Sequence, residues 1–123
     1  MKFICLAYED ENKFDTMSRH DWQVLRNETL TYIDELRKNG RLISAEPLRS
    51  AKTAVMVRIR DGKRSITDGP FAETKEQLGG FFLIEASDLD EAIHIASKWP
   101  SARIGSIEVR PIETGLNEDK RYS

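Results

Sequence analysis

The chain reads as a single α+β domain on three observations. Residues 18–38 and 87–99 carry apolar side chains at helical spacing. Short apolar runs stand before, between and after those two segments, as strands do. Asp61-Gly62 separates two further runs and is a two-residue hairpin signal, because both turn positions must tolerate positive φ.

Taken in order, Lys2 to Tyr8 is an apolar and aromatic strand closed by Glu9, Asp10 and Glu11. A polar connection leads to a long helix. Ser18 is its cap, and Asp21, three residues on, suits both a capping box and the positive helix end. Trp22, Leu25, Thr29, Tyr32, Ile33 and Leu36 form its buried stripe, Lys38 suits its negative end, and Gly40 stops it. Arg41 to Leu48 is a short strand ending near Pro47. Ala54 to Arg60 alternates, with Val55, Val57 and Ile59 on one face and Met56, Arg58 and Arg60 on the other. Pairing across Asp61-Gly62 sets Val57 against Ile66 and Arg58 against Ser65, and ends the return strand at Asp68. Gly79-Gly80 releases the chain into the strand Phe81–Ile84. Ser87 caps a second helix with Asp90 three residues later, whose buried stripe is Leu89, Ala92, Ile93, Ala96 and Trp99, ended by Pro100. Arg103 to Ile112 is the last strand, with Ile107 and Val109 facing opposite to Ser106, Glu108 and Arg110. The domain is read over residues 1–113, with 114–123 a polar, mobile tail.

This succession is the ferredoxin-like split βαβ order with an extra β-hairpin in the middle. It puts the first strand and Phe81–Ile84 at the centre of the sheet, and both are apolar on both faces. Two helices cover only one face. A second copy of the chain is the economical cover for the other, so a homodimer is expected.

A chain of 123 residues, 39% apolar and 33% charged, can bury a core without staples. Its net charge of −2 argues against non-specific nucleic-acid binding, which needs a basic footprint. Arg58, Arg60, Lys63 and Arg64 form a local basic cluster, but it straddles the hairpin turn and reads as solvated surface. The opening apolar stretch is too short for a signal peptide or a membrane span, so a cytoplasmic protein with no membrane partner is expected. One cysteine, Cys5, excludes an internal disulfide, and its apolar setting marks it as a small core hydrophobe. His20 and His94 read as helix-surface residues, and no histidine–carboxylate set has metal-ligand spacing. No cofactor or metal is expected.

The stretch from Asp68 to Gly80, DGPFAETKEQLGG, is the candidate site. Asp68-Gly69-Pro70 is turn chemistry, Phe71 offers an apolar anchor, and Glu73, Thr74, Lys75, Glu76 and Gln77 crowd polar side chains behind it. One reading is a connector in which Asp68 organises the loop amides. The other is a ligand loop, with Asp68 or Glu73 accepting a proton and Lys75 stabilising negative charge.

The string DGPFAETKEQLGGFFLIEASDLDEAIHIASKWP, followed by GSIEVRPI, closely resembles the DGPF branch of the YCII-related (YciI-like) family, and the likeness runs from the MKFICLAYEDE opening to Ile112. The resemblance implies a dimeric α/β barrel of ferredoxin-like chains. It implies bacterial relatives of unassigned activity, some encoded beside extracytoplasmic-function sigma factors. Shorter members carry a histidine–aspartate pair for which enzymatic work is proposed. Those positions fall near Thr29 and Lys38 here, and Ile104 stands where relatives often have histidine or tyrosine. Two functions follow. The first is a small-molecule-binding or regulatory accessory protein linked to a sigma-factor response. The second is a lyase- or isomerase-type enzyme for a small anionic organic molecule. In the second, Asp68 and Lys75 are the catalytic pair, with Arg110 a further charge stabiliser and Tyr8 a donor; Gly69, Pro70, Phe71, Glu73 and Thr74 complete the ligand contacts.

Overall fold

A computed structural model describes residues 1–115. The polar tail expected at 114–123 therefore lies, from residue 116 on, outside the described residues. The elements are β1 (Lys2–Glu9), α1 (Glu11–Thr16), α2 (Arg19–Lys38), β2 (Leu42–Pro47), β3 (Val55–Arg60), β4 (Lys63–Asp68), β5 (Gln77–Glu85), α3 (Leu89–Ser97) and β6 (Ser106–Pro111). Short 3-10 turns cover Ala51–Thr53 and Pro100–Arg103. Four strands make an antiparallel sheet in the order β2-β5-β1-β6, and β3 and β4 make a separate two-stranded sheet. That is the ferredoxin-like order with a hairpin inserted between β2 and β5.

Strand alternation divides the main sheet into two unlike faces. Phe3, Cys5 and Ala7 of β1 and Phe82 and Ile84 of β5 point toward the helices and are buried. They meet Leu36 of α2, and Ala92, Ile95, Ala96 and Trp99 at α3 and its end. Phe82 stacks on Trp99 with ring centroids 3.8 Å apart, and Tyr32 meets the same indole edge-on at 6.0 Å. The Tyr32 hydroxyl donates to the Ile95 carbonyl at 2.7 Å, tying α2 to α3. Burial pushes the Cys5 thiol up to about 12, so it remains an inert hydrophobe. Ile107 and Val109 extend the core from β6, as their alternation requires.

Helix ends obey local chemistry. The Ser18 hydroxyl accepts from the Asp21 amide at 3.0 Å. At the other end Arg41 N donates to Leu36 O at 2.8 Å and Gly40 N to Arg37 O at 3.1 Å, with Gly40 at φ 71°, which is a Schellman motif. The β3–β4 register is as expected, Val57 against Ile66 and Arg58 against Ser65, with Asp61 at φ 52° and Gly62 at φ 75° in the turn.

Several expectations are corrected. The polar connection after β1 contains α1, because the Asp10 carboxylate accepts from the Asn12 amide and starts a helical turn. Trp22 is 44% exposed: the α2 side chains that reach the core, Tyr32, Ile33 and Leu36, lie in the second half of the helix. Asp88, not Ser87, caps α3: its side chain accepts from the Glu91 amide at 2.8 Å, and Ser87 instead donates to the Glu91 carboxylate. Ala92, Ala96 and Trp99 of the expected stripe are buried, but Ile95 completes it, while Leu89 and Ile93 are exposed. Gly79 and Gly80 lie inside β5 rather than before it. The last strand begins at Ser106, because Pro100–Arg103 forms a 3-10 turn first.

Candidate functional site

The open sheet face leads to the candidate loop. Ile4, Leu6 and Tyr8 of β1 alternate away from the helices, opposite Leu83, Phe81 and Leu78 of β5. On the β6 side Arg110, Glu108 and Ser106 stand opposite the same three β1 residues. Glu46 of β2 faces Phe81. The result is an apolar strip, half-buried within one chain, with a polar rim on both edges. Tyr8 and Ser106 mark its loop end.

There the segment from Gly69 to Glu76 bridges β4 and β5. The Gln77 side-chain Nε2 donates to the Ala72 and Thr74 carbonyls at 2.9 and 3.0 Å. The Thr74 hydroxyl donates to the Glu76 carbonyl, and the Ser106 hydroxyl to the Glu76 carboxylate at 2.8 Å. Gln77 is therefore the residue that shapes the loop, and Glu76 fastens it to β6. The turn-organising role expected of Asp68 is not what the structure shows: among the described residues its carboxylate accepts no hydrogen bond. The Gly69 amide instead donates to the Ala54 carbonyl at 2.7 Å, and Gly69 takes φ 103°, which favours glycine.

The loop's remaining candidates are open to solvent within one chain. Asp68, Glu73, Thr74 and Lys75 are exposed, Pro70 is half-buried, and Phe71 is 78% exposed with the Arg58 guanidinium 6.0 Å over its ring. Arg110 pairs with Glu108 at 3.3 Å and sits opposite Ile4, four residues along β1 from Tyr8, or roughly 13 Å at strand rise. One chain thus brings Tyr8, Ser106 and Glu76 together and leaves Arg110 at the far end of the strip. His20 and His94 are both exposed on their helices, as expected. Among the described residues, no three His, Cys, Asp or Glu side chains are grouped to hold a metal. No helix of the described residues is long and apolar enough to cross a membrane.

Sequence reasoning passed over Glu9. It reads as a strand-closing acid, yet a β-bulge at Gly79 lets its carboxyl lie on bare backbone, where a Cβ on residue 79 would come within 2.5 Å of it. Burial, and then the charge of Glu11, hold the Glu9 carboxyl above its ordinary 4.5. Glu11 is itself engaged, accepting from the Ser50 hydroxyl at 3.0 Å and the Ala51 amide at 2.7 Å. A carboxyl raised in the folded state stabilises fully below 4.5, and that contribution is lost as pH rises through the raised value. Glu9→Gln should therefore raise the melting temperature at neutral pH, with the gain fading as pH falls through the raised value and gone below 4.5. A variant less stable than the parent at neutral pH would show that the buried charge is compensated. The only signal in the sequence was the pair of glycines, which mark close backbone approach only once their strand partner is known.

Two surface grooves lie elsewhere, on the helical layer. One of about 520 Å³ is lined by Val24, Glu28, Tyr32, Lys98 and Arg103, and one of about 380 Å³ by Arg41, Glu91, His94 and Lys98. Both are open and crossed by ion pairs, Arg103–Glu28 at 2.7 Å and Arg41–Glu91 at 2.8 Å, and neither includes a residue of the 68–80 stretch. Their chemistry is that of solvated helix surface.

Comparison with known proteins agrees with the architecture. 5-Chloro-2-hydroxyhydroquinone dehydrochlorinase (TftG) from Burkholderia phenoliruptrix, solved in complex with 2,5-dihydroxybenzoquinone, superposes with a TM-score of 0.52 at 17% identity. The match spans 97% of this chain and 100% of that one, and at such identity it shows a shared fold. An uncharacterised protein of Rhizobium meliloti (strain 1021) is 34% identical over 114 residues, 91% of this chain and 92% of its own length. The model of the YCII-related domain matches residues 1–114, all of β1 through β6, and the chain belongs to that family.

Proposed function

We propose that this protein binds a small organic molecule at the loop end of its open sheet face, in a cleft completed when a second copy covers that face. The observation that carries the reading is the strip itself. Ile4, Leu6, Phe81 and Leu83 are half-buried with no helix over them and run up to Tyr8, Ser106 and Glu76 beneath the loop. An apolar floor with a few polar groups at one end suits a small, partly polar ligand. A regulatory role, with a sigma-factor link, rests on the resemblance to DGPF proteins alone.

A second reading, a lyase- or isomerase-type enzyme, has one observation in its favour. The structural neighbour TftG is named for a dehydrochlorination, an elimination, and was solved with a dihydroxyquinone. In this reading Asp68 takes the proton, Lys75 meets the developing charge and Tyr8 donates, with Gly69, Pro70, Phe71, Glu73 and Thr74 closing over the ligand. Arg110, remote from Tyr8 in its own chain, serves an anionic group at the far end of the strip.

Thermal-shift and calorimetric titration with 2,5-dihydroxybenzoquinone and small hydroxyaromatic acids tests both. A true ligand should stabilise the fold by about 2.7 kcal/mol at a hundredfold excess over Kd. Asp68→Asn should leave the free protein's melting temperature unchanged, its carboxylate being exposed and accepting no hydrogen bond among the described residues. It should remove any turnover while sparing binding. A screen across these compounds with no shift would count against both readings.

A further inference from the structure

The β3–β4 hairpin leaves a second apolar face without a partner. Val55, Val57, Ile59 and Ile66 lie on one side of it, each more than half exposed. The opposite side faces home: Met56 and Arg58 are half-buried, and Arg58 reaches over Phe71 of the loop. The hairpin is held at its root, where Gly69 N donates to Ala54 O and Glu11 fixes Ser50 and Ala51. A two-stranded ribbon is at best marginally stable alone in water and needs a further strand or a packed apolar face. Exposed apolar patches of this kind mark interaction surfaces.

Its charge indicates what covers it. Residues 55–68 carry four cations, Arg58, Arg60, Lys63 and Arg64, against Asp61 and Asp68, in a chain whose net charge is −2. Two such arms repel each other, whereas arm and body attract. Arg64 sits opposite Ile59 and so shares the apolar face. Glu46 sits opposite Phe81 at the rim of the open sheet strip, and among the described residues it has no ion-pair partner. The same chain therefore offers an apolar ribbon with a cation and an apolar strip with an anion.

We propose that the β3–β4 hairpin is an exchanged arm: in a two-fold dimer, Val55, Val57, Ile59 and Ile66 of each chain lie on the open strip of the other, with Arg64 meeting Glu46 across the interface. This inference rests on the dimer reading above and names the part of the second copy that does the covering. It also makes each ligand cleft a product of both chains, since the arm root carries Asp68 and the loop behind it.

Sedimentation equilibrium at micromolar concentration tests it. The parent should be dimeric. Val57→Asp with Ile66→Asp, two substitutions at exposed positions, should raise the dimer dissociation constant roughly a hundredfold or more while leaving the circular dichroism spectrum unchanged. Arg64→Glu should weaken the dimer roughly tenfold at low salt, and Glu46→Lys in the same chain should restore it, because each interface then holds the reversed pair. A dimer indifferent to all of these substitutions overturns the exchanged arm and leaves the dimer reading standing. A monomeric parent overturns both.

Discussion

Phe82→Ala should cost about 3–5 kcal/mol of folding stability, the range for truncating a large buried aromatic. Phe82 is fully buried at the centre of β5, stacks on Trp99 at 3.8 Å with the rings 8° apart, and stands opposite Cys5 of β1 and Ala45 of β2. Truncation removes the transfer energy of the ring and leaves a cavity. Trp99 cannot follow into it, because Tyr32 holds the indole edge-on while hydrogen-bonding to Ile95. Domains of this size are stable by about 5–15 kcal/mol, so the variant should unfold at far lower denaturant or not fold at all. Phe71→Ala is the control within the same chain. Its ring is 78% exposed, and urea unfolding should find it within about 0.5 kcal/mol of the parent. Equal losses at the two positions would mean that the core has been placed on the wrong face of the sheet.

Those two phenylalanines also show which parts of the molecule were legible before the fold. Phe82 belongs to a run apolar on both faces, and such a run can lie only at the centre of a sheet; the two-helix count then left one face uncovered. The β3–β4 register could be read because it follows from a two-residue turn and strict alternation. The cap of α3 misled by one residue because Ser87 and Asp88 can both cap, and Ile93 and Ile95 flank the same Ala92–Ala96 face, so spacing alone did not decide which of them is buried. The site was less legible than the fold for a physical reason. Asp68 is conspicuous in sequence, but loop geometry is set by which amides and carbonyls come within reach, and there Gln77 and Ser106 prevail. Arg110 and Tyr8 lie on one face, but both that and their separation along it depend on how β6 pairs with β1, which no local pattern encodes.

Gly105 carries the other large effect, and its neighbours along the chain give no hint of it. It lies between the 3-10 turn Pro100–Arg103 and the start of β6, with no turn pattern and no positive φ to require glycine. The requirement is a close approach instead: a Cβ built there would run into the carbonyl oxygen of Tyr8 and meet the Ser101 carbonyl at 3.4 Å. Both obstacles are backbone, so neither can swing aside as the Glu9 side chain could for a substitution at Gly79. Relief needs β6 to move off β1, which breaks the Tyr8–Ser106 register and withdraws Ser106 from Glu76. Gly105→Ala should therefore destabilise by about 3 kcal/mol, at the upper end for forced overpacking, and Gly105→Val by more. Gly40→Ala isolates the conformational contribution, since nothing lies within 4 Å of a Cβ there and only its φ of 71° resists, at about 1 kcal/mol. Denaturant titration of the two alanine variants should place Gly105→Ala well below Gly40→Ala. Amide exchange should show the extra loss concentrated in the 69–77 loop and β6. If Gly105→Ala unfolds like the parent, β1 and β6 pack more loosely than the close approach requires, and Ser106 cannot be what holds the loop over Tyr8.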